Sequence, residues 1–291
     1  MPTSDVEVAS SEIAEPVVRR GRQLPGLFWV AAAWIGLIVA AALGADLLPL
    51  PSPTDMDMLE RRMPPSLAHW LGTDNLGRDM LARLVYGARI SLTVGVAAPL
   101  IGLVLGGSLG MLVGYLRGYL ETIVVASADV LLAFPPLVFA LALTAYLGQT
   151  IANLVAIIGI LSIPVFTRVV RASTLSIGKR EFILAARALG AGHVRILLKE
   201  VLPNVILPLM AYFLLAVAFV IVVEGALSFL GLGVPPPAPS WGSMIGEGRE
   251  SLEIAPRIAF LPAGVMFATV LAFNIIGDTL RAITDPRQAA L

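Results

Sequence analysis

The sequence predicts an all-α integral membrane protein with six transmembrane helices. Hydrophobic residues make up 57% of the 291 positions and charged residues only 14%, and the mean hydropathy is +0.88. An average soluble domain has about 25% charged residues. Six apolar stretches are each long enough to cross the hydrocarbon layer as a helix, which takes about 20 residues. Positive charge also concentrates in the segments that these spans place on one side.

The first span follows a tail that carries several arginines. Its apolar run is longer than the core of a signal peptide, and no small-residue cleavage site precedes a mature domain. We therefore interpret it as a retained anchor. The predicted spans are 27–48, 91–115, 122–147, 152–170, 206–230 and 258–280.

The distribution of basic residues predicts the orientation. With the N-terminus in the cytoplasm, both tails, the turn at Arg117 and the loop 171–205 share one side, which then holds most of the 20 Lys and Arg residues. Cytoplasmic loops of membrane proteins carry such an excess. Because the number of spans is even, both termini are predicted to be cytoplasmic. The basic residues of these segments are Arg19, Arg20, Arg22, Arg117, Arg171, Lys179, Arg180, Arg187, Arg195, Lys199, Arg281 and Arg287.

Two proline-containing segments, 49–90 and 231–257, then lie outside, and neither is long enough to form a separate domain. Within the first, we predict an amphipathic helix that has Thr73 or Asp74 as its N-cap and runs toward Arg89. This helix would lie on the outer membrane surface or cap the bundle. Within the second, three consecutive prolines favour an extended conformation.

Four glycines in the second span recur at every fourth residue and so share one stripe of a helix. Stripes of small residues allow the backbones of two membrane helices to approach closely. We therefore predict that a neighbouring helix packs against this stripe. The four residues are Gly102, Gly106, Gly110 and Gly114.

Two carboxylates fall inside predicted spans, where a bare charge against lipid is costly. Asp129 lies at a depth similar to that of Arg168 and Arg171, so we expect a structural ion pair with one of these arginines. Glu224 has no evident counter-charge. It either bonds to the backbone of the outer loop or forms a polar position on a solute pathway.

No catalytic or metal site is predicted. The chain has no cysteine, and His69 and His193 lie far apart, so we interpret both as solvated surface histidines. The two lysines, Lys179 and Lys199, are followed by Arg and Glu, so the phosphate-binding motif G-x-x-x-x-G-K-[ST] is absent. The chain therefore has no P-loop with which to hydrolyse ATP. Zero formal net charge gives no general attraction to nucleic acid.

Two other classes of membrane protein receive little support. A secondary transporter would show an inverted repeat and charged coupling sites near the middle of the bilayer. A membrane enzyme would show a cluster of catalytic residue types. We find neither pattern in the sequence.

The longest loop on the predicted cytoplasmic side contains the stretch EFILAARALGAGHVRILLKEVLPN, at 181–204. We predict one short helix over 181–189 that Gly190 ends in the left-handed conformation, and another over 193–202 that Pro203 ends. Three alanines leave the first helix with small side chains, which suits insertion into a groove of another protein. The pattern favours a docking elbow, and an amphipathic loop on the membrane is the alternative.

This stretch resembles the EAA loop of importer-type ABC permeases, in which Glu-Ala-Ala is followed by a glycine and then by Ile/Leu-x-x-x-Leu-Pro. The motif is relaxed here, because Leu184 occupies the place of the first acid. By this resemblance, the residues that couple the chain to an ATPase are Glu181, Ala185, Ala186, Gly190, Leu202 and Pro203.

Three further stretches resemble the C-type permease subunit of dipeptide/oligopeptide importers. They are HWLGTDNLGRDMLARLVYGARISL at 69–92, ALSFLGLGVPPPAPSWGSMI at 226–245 and AFNIIGDTLRAITDPR at 272–287. The runs GTD-x-x-GRD and SFLGLG-x-x-PP-x-PSWG are the most specific. The resemblance covers essentially everything after about residue 27.

The resemblance implies a type I ABC importer permease fold in the cytoplasmic membrane of a prokaryote. It divides the chain into a cytoplasmic tail (1–26), the first span with an outer segment (27–90), a permease core (91–280) with a coupling-helix loop at 175–205, and a second cytoplasmic tail (281–291). No metal or cofactor is expected on this chain, because ATP and magnesium would bind to partner subunits.

The implied function is to form half of a pathway that imports oligopeptides or dipeptides. The implied partners are a homologous B-type permease subunit, two cytoplasmic ATP-binding domains, an extracytoplasmic peptide-binding protein and membrane lipid, with no nucleic acid. Relatives of this subunit also import nickel chelates, glutathione or other small solutes, which is the alternative. The solute is set largely by the separate binding protein.

Overall fold

The computed structural model describes residues 24–284, and regular structure in this part of the chain is helical, without β-strands. The predicted tail up to residue 23 and the last residues from 285 onward lie outside the described part. The helices of three or more turns, together with two shorter ones that position the sites below, are α1 Gly26–Leu43, α2 Met80–Leu116, α3 Tyr119–Ala133, α4 Pro136–Leu147, α5 Ile151–Ile177, α6 Glu181–Ala188, α7 His193–Phe229, α8 Trp241–Gly248 and α9 Arg257–Thr284.

Five of these helices, α1, α2, α5, α7 and α9, are long and apolar enough to cross a membrane, and α3 with α4 forms a sixth span if the bent pair counts as one. The predicted all-α membrane fold is confirmed. The prediction of one continuous helix over 122–147 is wrong, because α3 and α4 meet at an angle of 83°. Phe134 between them is extended, with ψ of 136°. Two prolines follow it, and a residue before proline is forced out of the helical region.

The helix predicted to start at Thr73 or Asp74 starts instead at Met80, and it does not lie on the membrane surface, because it continues through the bundle to Leu116. The Asp74 carboxylate accepts hydrogen bonds from two backbone amides of the turn that follows it, and Gly77 within this turn has φ of +77°. A left-handed residue cannot continue a right-handed helix. Asp79 becomes the N-cap, with its side chain accepting from the amide of Ala82 at 2.7 Å.

The glycine stripe of α2 packs against α5, as predicted. A Cβ atom added at Gly102 would stand 2.6 Å from Cβ of Ser162, and one at Gly114 would stand 3.0 Å from the carbonyl oxygen of Arg171. A distance of 2.6 Å is shorter than real Cβ contacts, and 3.0 Å is tighter than most of them, so both positions favour glycine where the two helices meet. The packing of α2 on α5 thus runs along most of the bundle.

The prediction that a separate helix over 193–202 ends at Pro203 is wrong, because α7 runs without a break from His193 to Phe229. A π-helical turn, Leu197–Val201, precedes the proline, and the amide of Leu202 bonds to the carbonyl of Leu197 five residues back. This wider turn accommodates the proline ring near the start of the span.

The segment 231–257 contains a helix, α8, that the sequence analysis missed. Ser240 and Ser243 form a capping box at its start, where each hydroxyl accepts a hydrogen bond from the backbone amide of the other residue. Trp241 is fully buried, and its indole nitrogen donates to the carbonyl of Leu84 at 3.1 Å. The helix therefore packs into the bundle against α2, α7 and α9.

Candidate functional site

The elbow, residues 181–203, consists of α6 and the first turns of α7. Gly190, which follows α6, has φ of +80°, so it ends the helix in the predicted left-handed conformation. The amide of Ala191 then bonds to the carbonyl of Ala186 at 3.0 Å and reverses the chain. The two arms of the elbow meet at this turn.

The inner face of the elbow is anchored in the bundle. Ile183 from the first arm and Ile196 from the second are fully buried in a cluster that also contains Val170 and Phe166 of α5. Ala186 is half-buried and packs against this cluster. Ala186, which belongs to the predicted coupling set, therefore also contributes to the internal packing of the elbow.

The outer face of the elbow carries apolar side chains in solvent. Leu184 is 53% exposed, Leu189 is 88% exposed and Val194 is 69% exposed. Among the other residues of the predicted coupling set, Leu202 is half-buried, and Glu181, Ala185, Gly190 and Pro203 are exposed. The elbow thus presents an apolar ridge that is fixed from beneath, which is the form of a protein-docking surface.

A groove of about 410 Å³ lies where the bend between α3 and α4 faces α5 and α7. Its walls are almost entirely apolar, and Phe219 on its rim is 63% exposed. The lining comprises Leu132, Pro136, Ile158, Leu161, Ser162, Val165, Phe166, Tyr212, Leu215, Ala216, Phe219, Val220 and Val223. The break in the sixth span and the groove therefore occupy the same face of the bundle.

The predicted ion pair of Asp129 forms with Arg168, whose guanidinium donates to the carboxylate, and both side chains are about half exposed. Arg171 pairs instead with Glu121, and its Nε lies 2.7 Å from Oε1 of that residue. The second pair was not predicted from the sequence. Both pairs join α3 to α5.

Glu224 belongs to α7 and is fully buried where this helix faces α2, and it does not line the groove. Its carboxylate accepts from the hydroxyl of Ser91 at 3.0 Å and from the hydroxyl of Ser228 at 2.6 Å. Ser91 in turn accepts from the backbone amide of Trp241 in α8 at 3.2 Å. This location supports the structural interpretation of Glu224, but the bonding partners are serine hydroxyls of α2 and α7 and not the backbone of the outer loop.

At the opposite end from the elbow, the chain forms a cap from residues 57–79 and α8, held by a charge cluster that the sequence analysis missed. Arg78 donates to Asp74 at 2.6 Å and to Glu247 at 2.5 Å. Arg83 donates to Glu247 at 3.0 Å, and both arginines are almost fully buried. The run GTD-x-x-GRD contains two of these residues, so the motif was the available signal.

His69 also belongs to the cap, and the prediction of a solvated histidine is wrong for it. Its Nδ1 lies 2.8 Å from Oδ2 of Asp79, and its Nε2 lies 2.9 Å from Oε2 of Glu60. The hydrogen bond with Asp79 raises the pKa of His69 above its ordinary value, and the bond with Glu60 adds to this effect, while burial opposes it. Among residues 24–284, no cluster of three potential metal ligands is found.

A bundle of helices long and apolar enough to span a membrane, with a groove on one face and an exposed apolar ridge at one end, is the architecture expected of a membrane permease, the part of a transporter that lines the path across the bilayer. A sequence model of the family described as "Binding-protein-dependent transport system inner membrane component" matches residues 106–290, more than half of the chain. The chain belongs to this family and is a permease component of an ABC importer.

Curated relatives agree with this assignment. The glutathione transport system permease protein GsiD of Pectobacterium atrosepticum is 40% identical over 258 residues, which cover 88% of this chain and 86% of the relative. The proteins of the same description from Escherichia coli O157:H7 and Shigella sonnei are 41% identical over 269 residues, or 92% and 89% of the two chains. A permease of this family lies in the inner membrane, where it works with an ATPase and with a separate solute-binding protein.

Proposed function

We propose that this chain forms half of the translocation pathway for a short peptide-like solute, and that glutathione is the first candidate. The observation that carries this proposal is the 40–41% identity to glutathione permease components over almost the whole of both chains. Dipeptides or oligopeptides are the second candidate, supported by the runs at 69–92 and 226–245 that resemble C-type subunits. The comparisons favour the alternative of the sequence analysis over its main interpretation.

The proposed assembly pairs this chain with a homologous B-type permease, so that the groove beside the bend of α3 and α4 faces the pathway. Two ATP-binding domains, which carry the ATP and magnesium, dock on the elbow from the cytoplasm. The solute-binding protein delivers its cargo at the cap. In this arrangement residues 1–26 and 281–291 are cytoplasmic tails, and 91–280 is the permease core with its coupling loop at 175–205.

Closure of the ATP-binding domains would move the elbow and switch the pathway between inward and outward access. Glu181, Ala185, Gly190 and Pro203 lie on the exposed side of the elbow and would meet the ATPase. The walls of the groove offer a polar solute few hydrogen-bonding partners, so the solute would not be held tightly there.

Uptake by the complete complex tests the choice of solute. The complex of both permeases, the ATPase and the binding protein is placed in proteoliposomes with labelled glutathione, a dipeptide or a nickel chelate. We expect ATP-dependent accumulation of glutathione, and none when this chain is present alone. Accumulation of the dipeptide only, or of the chelate only, would refute glutathione and leave the permease function standing.

Docking of the ATPase on the elbow is tested by Leu184→Asp, which places a charge on the apolar ridge. We expect the yield of copurified ATPase to fall about tenfold or more, because docking would bury the new carboxylate in an apolar contact without a partner charge. Leu59→Asp at the cap, where the side chain is 93% exposed, is the matched control and should retain the ATPase. Equal yields in the two variants would contradict docking at the elbow.

The orientation is tested by cysteine labelling, since the native chain has no cysteine. Ser66 in the cap and Ser176 beside the elbow are both exposed. A membrane-impermeant maleimide should label Ser66→Cys in intact cells, and Ser176→Cys only after the membrane is opened. The reverse pattern would contradict the proposed orientation. Ser240 is buried and therefore unsuitable for this experiment.

A further inference from the structure

Tyr115, near the end of α2, contacts both arms of the elbow. Its hydroxyl oxygen lies 3.1 Å from Nδ1 of His193, the first residue of α7. The guanidinium carbon of Arg187, on α6, lies 4.9 Å from the centroid of the same ring. One aromatic side chain therefore touches both arms on either side of the turn at Gly190.

The three residues differ in burial. Tyr115 is only 8% exposed and belongs to the apolar cluster that holds Ile183 and Ile196. Arg187 and His193 are exposed. The arms are thus packed on the bundle through their isoleucines, and the two polar contacts add a specific link to α2. Loss of this link leaves the apolar packing in place.

Helix α2 is packed tightly enough to transmit a displacement. Gly114, the neighbour of Tyr115, lies against α5 so closely that an added Cβ atom would stand 3.0 Å from the Arg171 carbonyl oxygen and 3.0 Å from Cβ of Thr174. Arg171 is paired with Glu121 on α3. Packed helices tend to shift as units rather than deforming continuously, so these contacts provide a physical connection from Tyr115 to α5 and α3.

We propose that Tyr115 is a positioning residue that couples movement of the elbow to α2. This inference rests on the proposed function, because it requires an ATPase that moves the elbow. The hydrogen bond to His193 holds one arm, and the cation–π contact with Arg187 holds the other. Without these contacts, the elbow would still bind the ATPase, but its movement would reach α2 incompletely, and ATP would be hydrolysed with less solute moved.

Two substitutions test this coupling in the complete complex with glutathione as the solute. Tyr115→Phe removes the hydroxyl and keeps the ring, and Arg187→Met removes the charge and keeps an apolar stem. We expect Tyr115→Phe to lower the amount of glutathione moved per ATP hydrolysed by about fivefold, the factor that corresponds to one lost hydrogen bond. Arg187→Met should lower it by about two- to fivefold, the factor that corresponds to a lost cation–π contact. Both variants should copurify normally with the ATPase. Tyr119→Phe, at a residue that is 84% exposed, is the matched control and should keep the native ratio.

An unchanged ratio in both variants would overturn the proposal. A loss of copurified ATPase with a normal ratio in the remaining complex would also overturn it, because Arg187 would then serve docking alone. If Tyr115→Phe folds poorly, Arg187→Met and His193→Ala decide the question, since both of these residues are exposed. Failure of the native complex to bind an ATPase or to move glutathione would instead refute the proposed function.

Discussion

Gly110 of α2 and Thr167 of α5 approach so closely that a Cβ atom on Gly110 would overlap the carbonyl oxygen of Thr167. The contact lies in the middle of the glycine stripe, where backbone faces backbone. A carbonyl oxygen in a helix cannot swing away as a flexible side chain can. The separation of α2 and α5 is therefore set by the absence of a side chain at this position.

Gly110→Ala should lower the free energy of unfolding by about 1–3 kcal/mol, because the added methyl group forces two packed helices apart. Gly107→Ala is the matched control. Its added Cβ atom would stand 3.9 Å from the nearest atoms, which is ordinary contact. Thermal unfolding of the purified chain in detergent measures both, and equal midpoints in the two variants would contradict the packing argument.

The ion pair of Asp129 and Arg168 should show coupling in a double-mutant cycle. We expect Asp129→Asn and Arg168→Gln to be non-additive by about 0.5–1 kcal/mol in the free energy of unfolding, since both side chains are half exposed. Asp129→Asn combined with Arg171→Gln is the control cycle and should be additive, because Arg171 pairs with Glu121. Additivity in both cycles would count against the pair.

Loss of the buried carboxylate of Glu224 should affect folding before transport. Glu224→Leu leaves the hydroxyls of Ser91 and Ser228 without their acceptor, and we expect it to lower the free energy of unfolding by about 1–3 kcal/mol. Glu224→Gln keeps an acceptor oxygen and should lose less. Uptake per folded complex should remain normal in Glu224→Gln. Slowed uptake at native stability would place Glu224 on the solute pathway instead.

The stability of the cap should depend on pH through His69. Its raised pKa means that the folded state favours the protonated ring. The resulting stabilisation is complete below the ordinary histidine pKa of about 6.5, decreases above it and is lost as the pH passes the raised value. We therefore expect the melting temperature of the native chain to fall over this range, and His69→Gln to lack this part of the decline.

Asp46→Asn is the control for this pH series. The hydrogen bond from Arg89 holds the pKa of Asp46 below its usual value of 3.8, so this carboxylate titrates only in acid. The variant should therefore keep the native decline above pH 6.5. An identical decline in the native chain and in His69→Gln would show that other groups cause it.

Features that arise from composition and local periodicity could be predicted from the sequence. The apolar runs indicated the spans because backbone groups in lipid must bond within a helix. The spacing of Gly110 and its neighbours indicated the α2–α5 contact, and Gly190 indicated the end of α6. The bend at Phe134 was missed because prolines within membrane helices are often tolerated. The start of α2 at Met80 depends on a turn whose hydrogen bonds the pattern does not reveal.

The sites were predictable only where one segment supplies all the residues. The elbow is a single stretch of chain, so its motif indicated it. The groove brings together four helices, and the contact of Tyr115 with His193 joins residues 78 positions apart. Tertiary packing alone determines such neighbours. Glu224 shows the same limit, because its donor Ser91 lies 133 positions earlier.

The cap also constrains the order of events during synthesis. Arg78 and its partner Glu247 are separated by 169 positions. At about 5–20 residues per second, the arginine leaves the ribosome roughly 10–30 s before the carboxylate exists. During that interval Asp74 is the only acid of the cluster that has been synthesised. The first span and the outer segment after it therefore exist before the contacts with α8 can form. Closure of the cap is therefore a late step that requires nearly the whole chain, and a product that stops before α8 cannot complete it.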